Sequence, residues 1–160
     1  MREKLSRRAI ISRVAHGSAA VVAAQFAGSF GNLAIASTKS PRAVAESYWR
    51  VECARDLEKV GQHYHPDAVF NPPGQRLVGW ENIRNWYAAS FKQFPGLEVE
   101  IVHEVTMSNE SALEWRAVLI DPAGQRNSLV GVNIVRVEDG RFREVRSYFD
   151  SSELKLGKSK

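Results

Sequence analysis

Leu97-Glu98-Val99-Glu100-Ile101-Val102-His103-Glu104-Val105-Thr106-Met107 is where this sequence changes period. Leu97, Val99, Ile101, His103, Val105 and Met107 alternate with Glu98, Glu100, Val102, Glu104 and Thr106. Successive side chains of a strand point to opposite faces, so this alternation predicts a long half-buried strand. Downstream, turn signals at 108–110 and 121–124 separate it from strands expected over 112–120 and 128–137. Asp139-Gly140 then marks a hairpin into a last strand over 142–150, and the polar tail 151–160 reads as frayed.

Upstream the period is helical. Ser40-Pro41 supplies an N-cap and a first-turn proline, and Ala45, Tyr48, Trp49, Val51, Glu52, Leu57 and Val60 follow as a stripe ending at Gly61, with 56–60 readable as a second short helix. Ile83, Trp86, Tyr87, Ser90, Phe91 and Phe94 mark another helix, stopped by Pro95-Gly96. Between the helices lies His65-Pro66-Asp67-Ala68-Val69-Phe70-Asn71-Pro72-Pro73-Gly74, a short strand halted by a rigid loop. Asn71 sits at its end, a position where ligand contacts are often built. Helices first and strands afterwards predict an α+β domain with helices segregated on one face of a sheet.

The first residues read as an address. Ser6-Arg7-Arg8-Ala9-Ile10-Ile11 resembles a twin-arginine export signal, residues 14–38 carry no Asp, Glu, Lys or Arg, and Ala34-Ile35-Ala36 places cleavage before Ser37. The alternatives are a misplaced start codon and an uncleaved membrane anchor, the latter disfavoured by His16, Gln25, Asn32 and many small residues. Residues 1–36 are thus expected to be an export signal and 37–160 one domain, periplasmic or extracellular, with no stable membrane span after cleavage. The leader holds five of the 22 Lys and Arg but one of the 18 acids, so the mature domain carries 17 of each. That balance gives no footing for nucleic acid as a partner. Cys53 is the single cysteine, which excludes an intrachain disulfide; it lies in a helical pattern and reads as an inert thiol. No glycine-rich phosphate loop and no metal-ligand cluster appears, so neither a cofactor nor a metal is expected, and His63 and His65 read as a solvated helix end.

Tyr48-Trp49, Asp56-Leu57, the Asp67 to Pro72 segment, Gly79 before Ile83-Arg84, Glu114-Trp115, Asp139-Gly140 and Tyr148-Phe149-Asp150 together resemble the SnoaL-like members of the nuclear transport factor 2-like superfamily. The likeness covers residues 40–150. It implies a cone-shaped, curved, mostly antiparallel sheet packed on about three helices and enclosing a pocket for a small molecule. It also implies a homodimer through the outer sheet face.

The same likeness suggests site residues. Against ketosteroid isomerase, Tyr48 matches the oxyanion-hole tyrosine, Asn71 stands at the general-base aspartate, and Asn133 at the aspartic acid that donates a hydrogen bond. An amide cannot take a proton from carbon near neutral pH, so Asn71 is no base, although Asn133 can still donate. Against limonene epoxide hydrolase, Asn71 matches a water-holding asparagine, while Glu114, Arg116 and Ser147 replace its charged triad. The likeness places Glu114 and Arg116 on the inner face with Asn133 and Ser147. They form either a structural ion pair or a site in which Arg116 binds an anionic oxygen and Glu114 acts as base. His103, the polar outlier of its strand, is either a pocket acid–base group or a core histidine. Two readings of function stand: an exported isomerase, cyclase, dehydratase or hydrolase, or a non-catalytic ligand-binding or dimerisation domain that has lost its base.

Overall fold

Ser40 caps the first helix as its sequence requires: its Oγ accepts from Ala43 N at 3.2 Å, and Pro41 occupies the first turn. The computed structural model describes residues 39–154, all within the unit Ala36–Lys160. The proposed leader and its cleavage site lie outside the described residues. Helix α1 (Pro41–Cys53) is followed by α2 (Leu57–Gly61), β1 (Tyr64–Asn71), β2 (Leu77–Val78), α3 (Trp80–Gln93), β3 (Gly96–Met107), β4 (Glu110–Ile120), β5 (Arg126–Glu138) and β6 (Arg141–Phe149), with a short 3₁₀ turn at Ser151–Glu153.

The six strands form one sheet in the order β2-β1-β6-β5-β4-β3. β3 to β6 make the expected antiparallel meander, but β1 runs parallel to β6 and carries the two-residue β2 on its far edge. The expectation of a cone-shaped sheet is therefore corrected. Closing a sheet requires its two edge strands to pair, and here β2 and β3 stand at opposite edges of an open, mixed sheet that is not strongly curled. The helices cover one face, with α1 over β3, β4 and β5 and α3 over β1 and β2.

The core lies between these layers. Val44, Ala45, Tyr48 and Trp49 descend from α1, Ile83 and Tyr87 from α3, and Leu113, Trp115, Ala117, Leu129, Val135 and Val145 rise from the sheet. Burying each large apolar side chain contributes about 1.5–3 kcal/mol before ordering costs.

β3 departs from simple alternation. Its pairing with β4 shifts between Ile101 and His103, so Val102 is an extra residue in the strand. One inserted residue reverses the face of everything beyond it. Leu97, Val99 and Ile101 pack against the core. Past the bulge it is Glu104 that turns toward the helices, accepting from Thr106 Oγ1 at 2.7 Å and Ser111 Oγ at 3.0 Å and meeting Arg42 of α1 at 3.5 Å. His103, Val105 and Met107 are left on the exposed face.

Candidate functional site

A cavity of about 580 Å³ lies between the helices and the sheet. Its helical wall comprises Tyr48, Trp49 and Glu52 of α1, Arg55 just beyond it, and Trp86, Ser90 and Gln93 of α3. Trp115, Ala117, Leu129, Asn133, Ser147 and Phe149 form the sheet wall. Mostly apolar walls with a few convergent polar groups are the usual make-up of a small-molecule site.

Of the residues singled out from sequence, Tyr48, Asn133 and Ser147 line this cavity. The other four do not. Trp115 pairs with Gly131 and Arg116 with Val130, so the cavity face of β4 is Leu113, Trp115 and Ala117. Glu114 and Arg116 are exposed on the opposite face, and the β3 bulge sets His103 opposite Glu114 on that outer side. The inner-face placement of Glu114 and Arg116 is thus corrected by strand register. Asn71 pairs with Arg146, while its neighbour Phe70 pairs with buried Val145. Its side chain donates to Glu144 Oε1 at 3.4 Å and borders a second groove with Gly74 and Arg146, which shares Pro72, Pro73, Ser147 and Phe149 with the cavity.

The groups that give the cavity its chemistry are different ones. Tyr48, Glu52 and the buried stripe of α1 share a helix face, because residues four apart stand one above the other. The Tyr48 hydroxyl lies near the Glu52 carboxyl and favours its ionised form. It is also bonded closely to the Tyr87 hydroxyl, which meets the Tyr64 hydroxyl at 2.8 Å. One orientation satisfies both bonds, with Tyr64 donating to Tyr87 and Tyr87 to Tyr48, and it leaves the Tyr48 hydroxyl hydrogen for the nearby carboxylate or a bound ligand.

The rings are locked. Tyr87 stacks on Phe70 at 5.7 Å, and Phe142 packs edge-on to Tyr48 at 5.3 Å. Burial holds all three phenols above their ordinary range, so they remain donors at any physiological pH. Burial likewise pushes Glu52 up to about 7, against the lowering effects of the nearby Tyr48 hydroxyl and the Arg55 charge. The residual solvent exposure of Glu52 is consistent with its place in the cavity wall. A carboxyl poised near neutrality can both accept and release a proton.

Arg55 follows from how α1 ends. Arg55 N donates to Glu52 O at 2.9 Å and Asp56 N to Val51 O at 3.1 Å, a Schellman closure whose left-handed residue is Arg55, at φ 57°. Glycine is usual there, and a side chain costs roughly 1–2 kcal/mol. Asp56 Oδ1 then caps α2 through Lys59 N at 3.1 Å.

On the sheet wall, Trp115 Nε1 donates to Asn133 Oδ1 at 3.0 Å, which leaves the Asn133 amide group as a donor. Ser147 is its cross-strand partner. Glu52, Arg55, Tyr64, Tyr87 and Trp115 carry no site role in the sequence reading. The available signal was a carboxylate within an apolar helical stripe, four residues after Tyr48. Among the described residues, no group of three or more His, Cys, Asp or Glu is placed to hold a metal, and no helix is long and apolar enough to cross a membrane.

Comparison with known proteins gives the family. The SnoaL-like domain description matches residues 44–145, more than half of the chain. A search of the curated proteins found no significant match. Among solved structures, a putative SnoaL-like polyketide cyclase from Shewanella denitrificans is 16% identical with a TM-score of 0.63, covering 71% of this chain and 92% of that one. An LEH-like epoxide hydrolase from M. tuberculosis is 22% identical with a TM-score of 0.60, covering 69% and 82%. TerC, co-crystallised with polyporic acid, is 16% identical with a TM-score of 0.62, covering 70% and 92%. At these identities the likeness establishes the fold.

Proposed function

The chain belongs to the SnoaL-like domain family, and from that footing we propose that it is a cofactor-independent enzyme moving a proton on a small carbonyl-bearing molecule held in its cavity. The observation that carries this is Glu52, a carboxyl in the cavity wall shifted to about 7 by burial. It supplies the acid–base group that Asn71, an amide on the outer side of the sheet, does not. In the proposed reaction ionised Glu52 takes the proton α to the carbonyl, and Tyr48 or the Asn133 amide stabilises the resulting oxyanion by hydrogen bonding. Glu52 then returns the proton at a second position. Isomerisation, ring closure and dehydration all begin with this step. That a protein of the same fold was co-crystallised with polyporic acid supports an aromatic carbonyl compound as probe.

The test is hydrogen–deuterium exchange at the α-carbons of 2-tetralone, followed by NMR. The protein should accelerate exchange above buffer, with an inflection near pH 7, and Glu52→Gln should lose about 10²-fold or more. Equal acceleration by Glu52→Gln would end the proposal.

Two further parts rest on separate observations. Export is proposed from Arg7-Arg8 and the uncharged stretch that follows. A homodimer is proposed through the outer sheet face, where Val105, Met107, Val130 and Tyr148 are each more than half exposed.

A further inference from the structure

We propose that Arg55 is the recognition residue for a carboxylate on the molecule that occupies the cavity, so that the site selects acids over their neutral esters. The inference rests on the reading of the cavity as a small-molecule site and names the class of substrate it takes.

Four observations carry it. Arg55 lines the cavity together with Glu52, Ser90 and Gln93. Its guanidinium is held in place, with one terminal nitrogen donating to Gly96 O at 3.1 Å and the Phe91 ring centred 4.8 Å from its central carbon. Its Nε is buried and has no hydrogen-bond partner. Glu52, the carboxyl that acts most strongly on it, does so through space, without a salt bridge between the two.

A guanidinium carries five N–H donors in a fixed fork, and a half-buried one with few protein acceptors favours an anion beside it. Backbone geometry adds to this, since the residue occupies a left-handed position that glycine fills more cheaply. What the arginine provides there is a cation at the cavity wall. A carboxylate can pair with the terminal nitrogen that the Gly96 carbonyl does not engage, which unlike Nε is not fully buried. Arg116, the arginine to which the sequence pointed, is exposed on the other side of the sheet and has no part in this.

Isothermal titration calorimetry with 2-naphthoate and methyl 2-naphthoate tests the assignment. The unaltered protein should bind the acid at least tenfold more tightly than the ester. Arg55→Gly should lose the preference while melting at the same temperature or higher, because glycine fits the left-handed position. Arg55→Lys should keep part of it as a point charge. Equal binding of acid and ester, or a preference that survives in Arg55→Gly, overturns the assignment and leaves the cavity as a binding site. Binding of neither probe removes the reading on which it rests, and the assignment with it. Should Glu52→Gln keep both the acid preference and full 2-tetralone exchange, the proton-transfer proposal falls while the role of Arg55 stands.

Discussion

Replacing Glu52 by Gln should make the protein more stable, and only above a definite pH. In the fold the carboxyl titrates at about 7, against an ordinary value of 4.5, chiefly because burial penalises its charge. Below pH 4.5 it is neutral in both folded and unfolded chains, and its contribution to stability is fully present. As pH rises the unfolded chain releases this proton first, so stability falls until the folded carboxyl also ionises near 7, and is level beyond. At about 1.4 kcal/mol per pH unit the whole loss is about 3 kcal/mol, and partial solvent screening in the cavity trims it to about 2. Glutamine keeps an acceptor for the Tyr48 hydroxyl and carries no charge. The variant should therefore match the parent at pH 4.5 and exceed it by about 2 kcal/mol at pH 8, or about 8 °C in melting temperature for a domain of this size. Thermal unfolding by circular dichroism from pH 4.5 to 8.5 measures the gap. Parallel curves for the two proteins across that range would refute the account of Glu52 as a carboxyl strained by burial, and with it the basis of the proposed chemistry.

Other expectations follow from packing and from the chain's two faces. A Cβ at Gly131 would lie 2.7 Å from a Trp115 ring carbon and 2.7 Å from the Tyr148 carbonyl oxygen. Gly131→Ala should accordingly cost about 1–3 kcal/mol in urea unfolding and shift tryptophan emission; an unchanged midpoint would show that the Trp115 ring does not lie over Gly131. Val130 is 59% exposed on the outer sheet face. If copies pair there, Val130→Lys should convert a sedimenting dimer to monomer at micromolar concentration, and a parent protein that is already monomeric would sink the dimer proposal. A reporter fused to residues 1–40 should lose export when Arg7 and Arg8 become Lys, and unaffected export would remove the twin-arginine reading.

The element order was legible because each boundary has a local cause. Ser40-Pro41 starts a helix, Pro95-Gly96 ends one, and Asp139-Gly140 turns a hairpin with both residues at positive φ. Two features lack such a cause. β2 is two residues long and exists by pairing with Val69 and Phe70. The parallel placement of β1 beside β6 joins segments more than seventy residues apart, such as Phe70 and Val145. Those contacts are tertiary, and they leave the sheet open and mixed where family likeness alone implied a cone.

The site was harder to see for a reason that one residue illustrates. Period-two reasoning assigns a face to every strand residue, but it carries a parity that a single bulge reverses. Val102 reverses it within β3, which moves His103 outward and Glu104 inward. On β4 the parity itself was readable, since Leu113, Trp115 and Ala117 alternate with Glu114 and Arg116 and a charged pair belongs in water unless something compensates it. Family likeness overruled that simpler inference, and register restored it. Helix parity has no comparable weakness, because 3.6 residues per turn fix which side chains share a face over a few turns. Glu52 was therefore accessible from sequence: a carboxylate one turn beyond Tyr48 on a buried stripe must either be neutralised or be used. Arg55 was not, since its position depends on a left-handed closure that arginine gives no sign of adopting. The two together place a carboxyl raised by burial and a cation at the C-terminal end of α1. Both lie on the helical side of the sheet, which leaves the outer sheet face, with Val105, Met107, Val130 and Tyr148, free for a second copy.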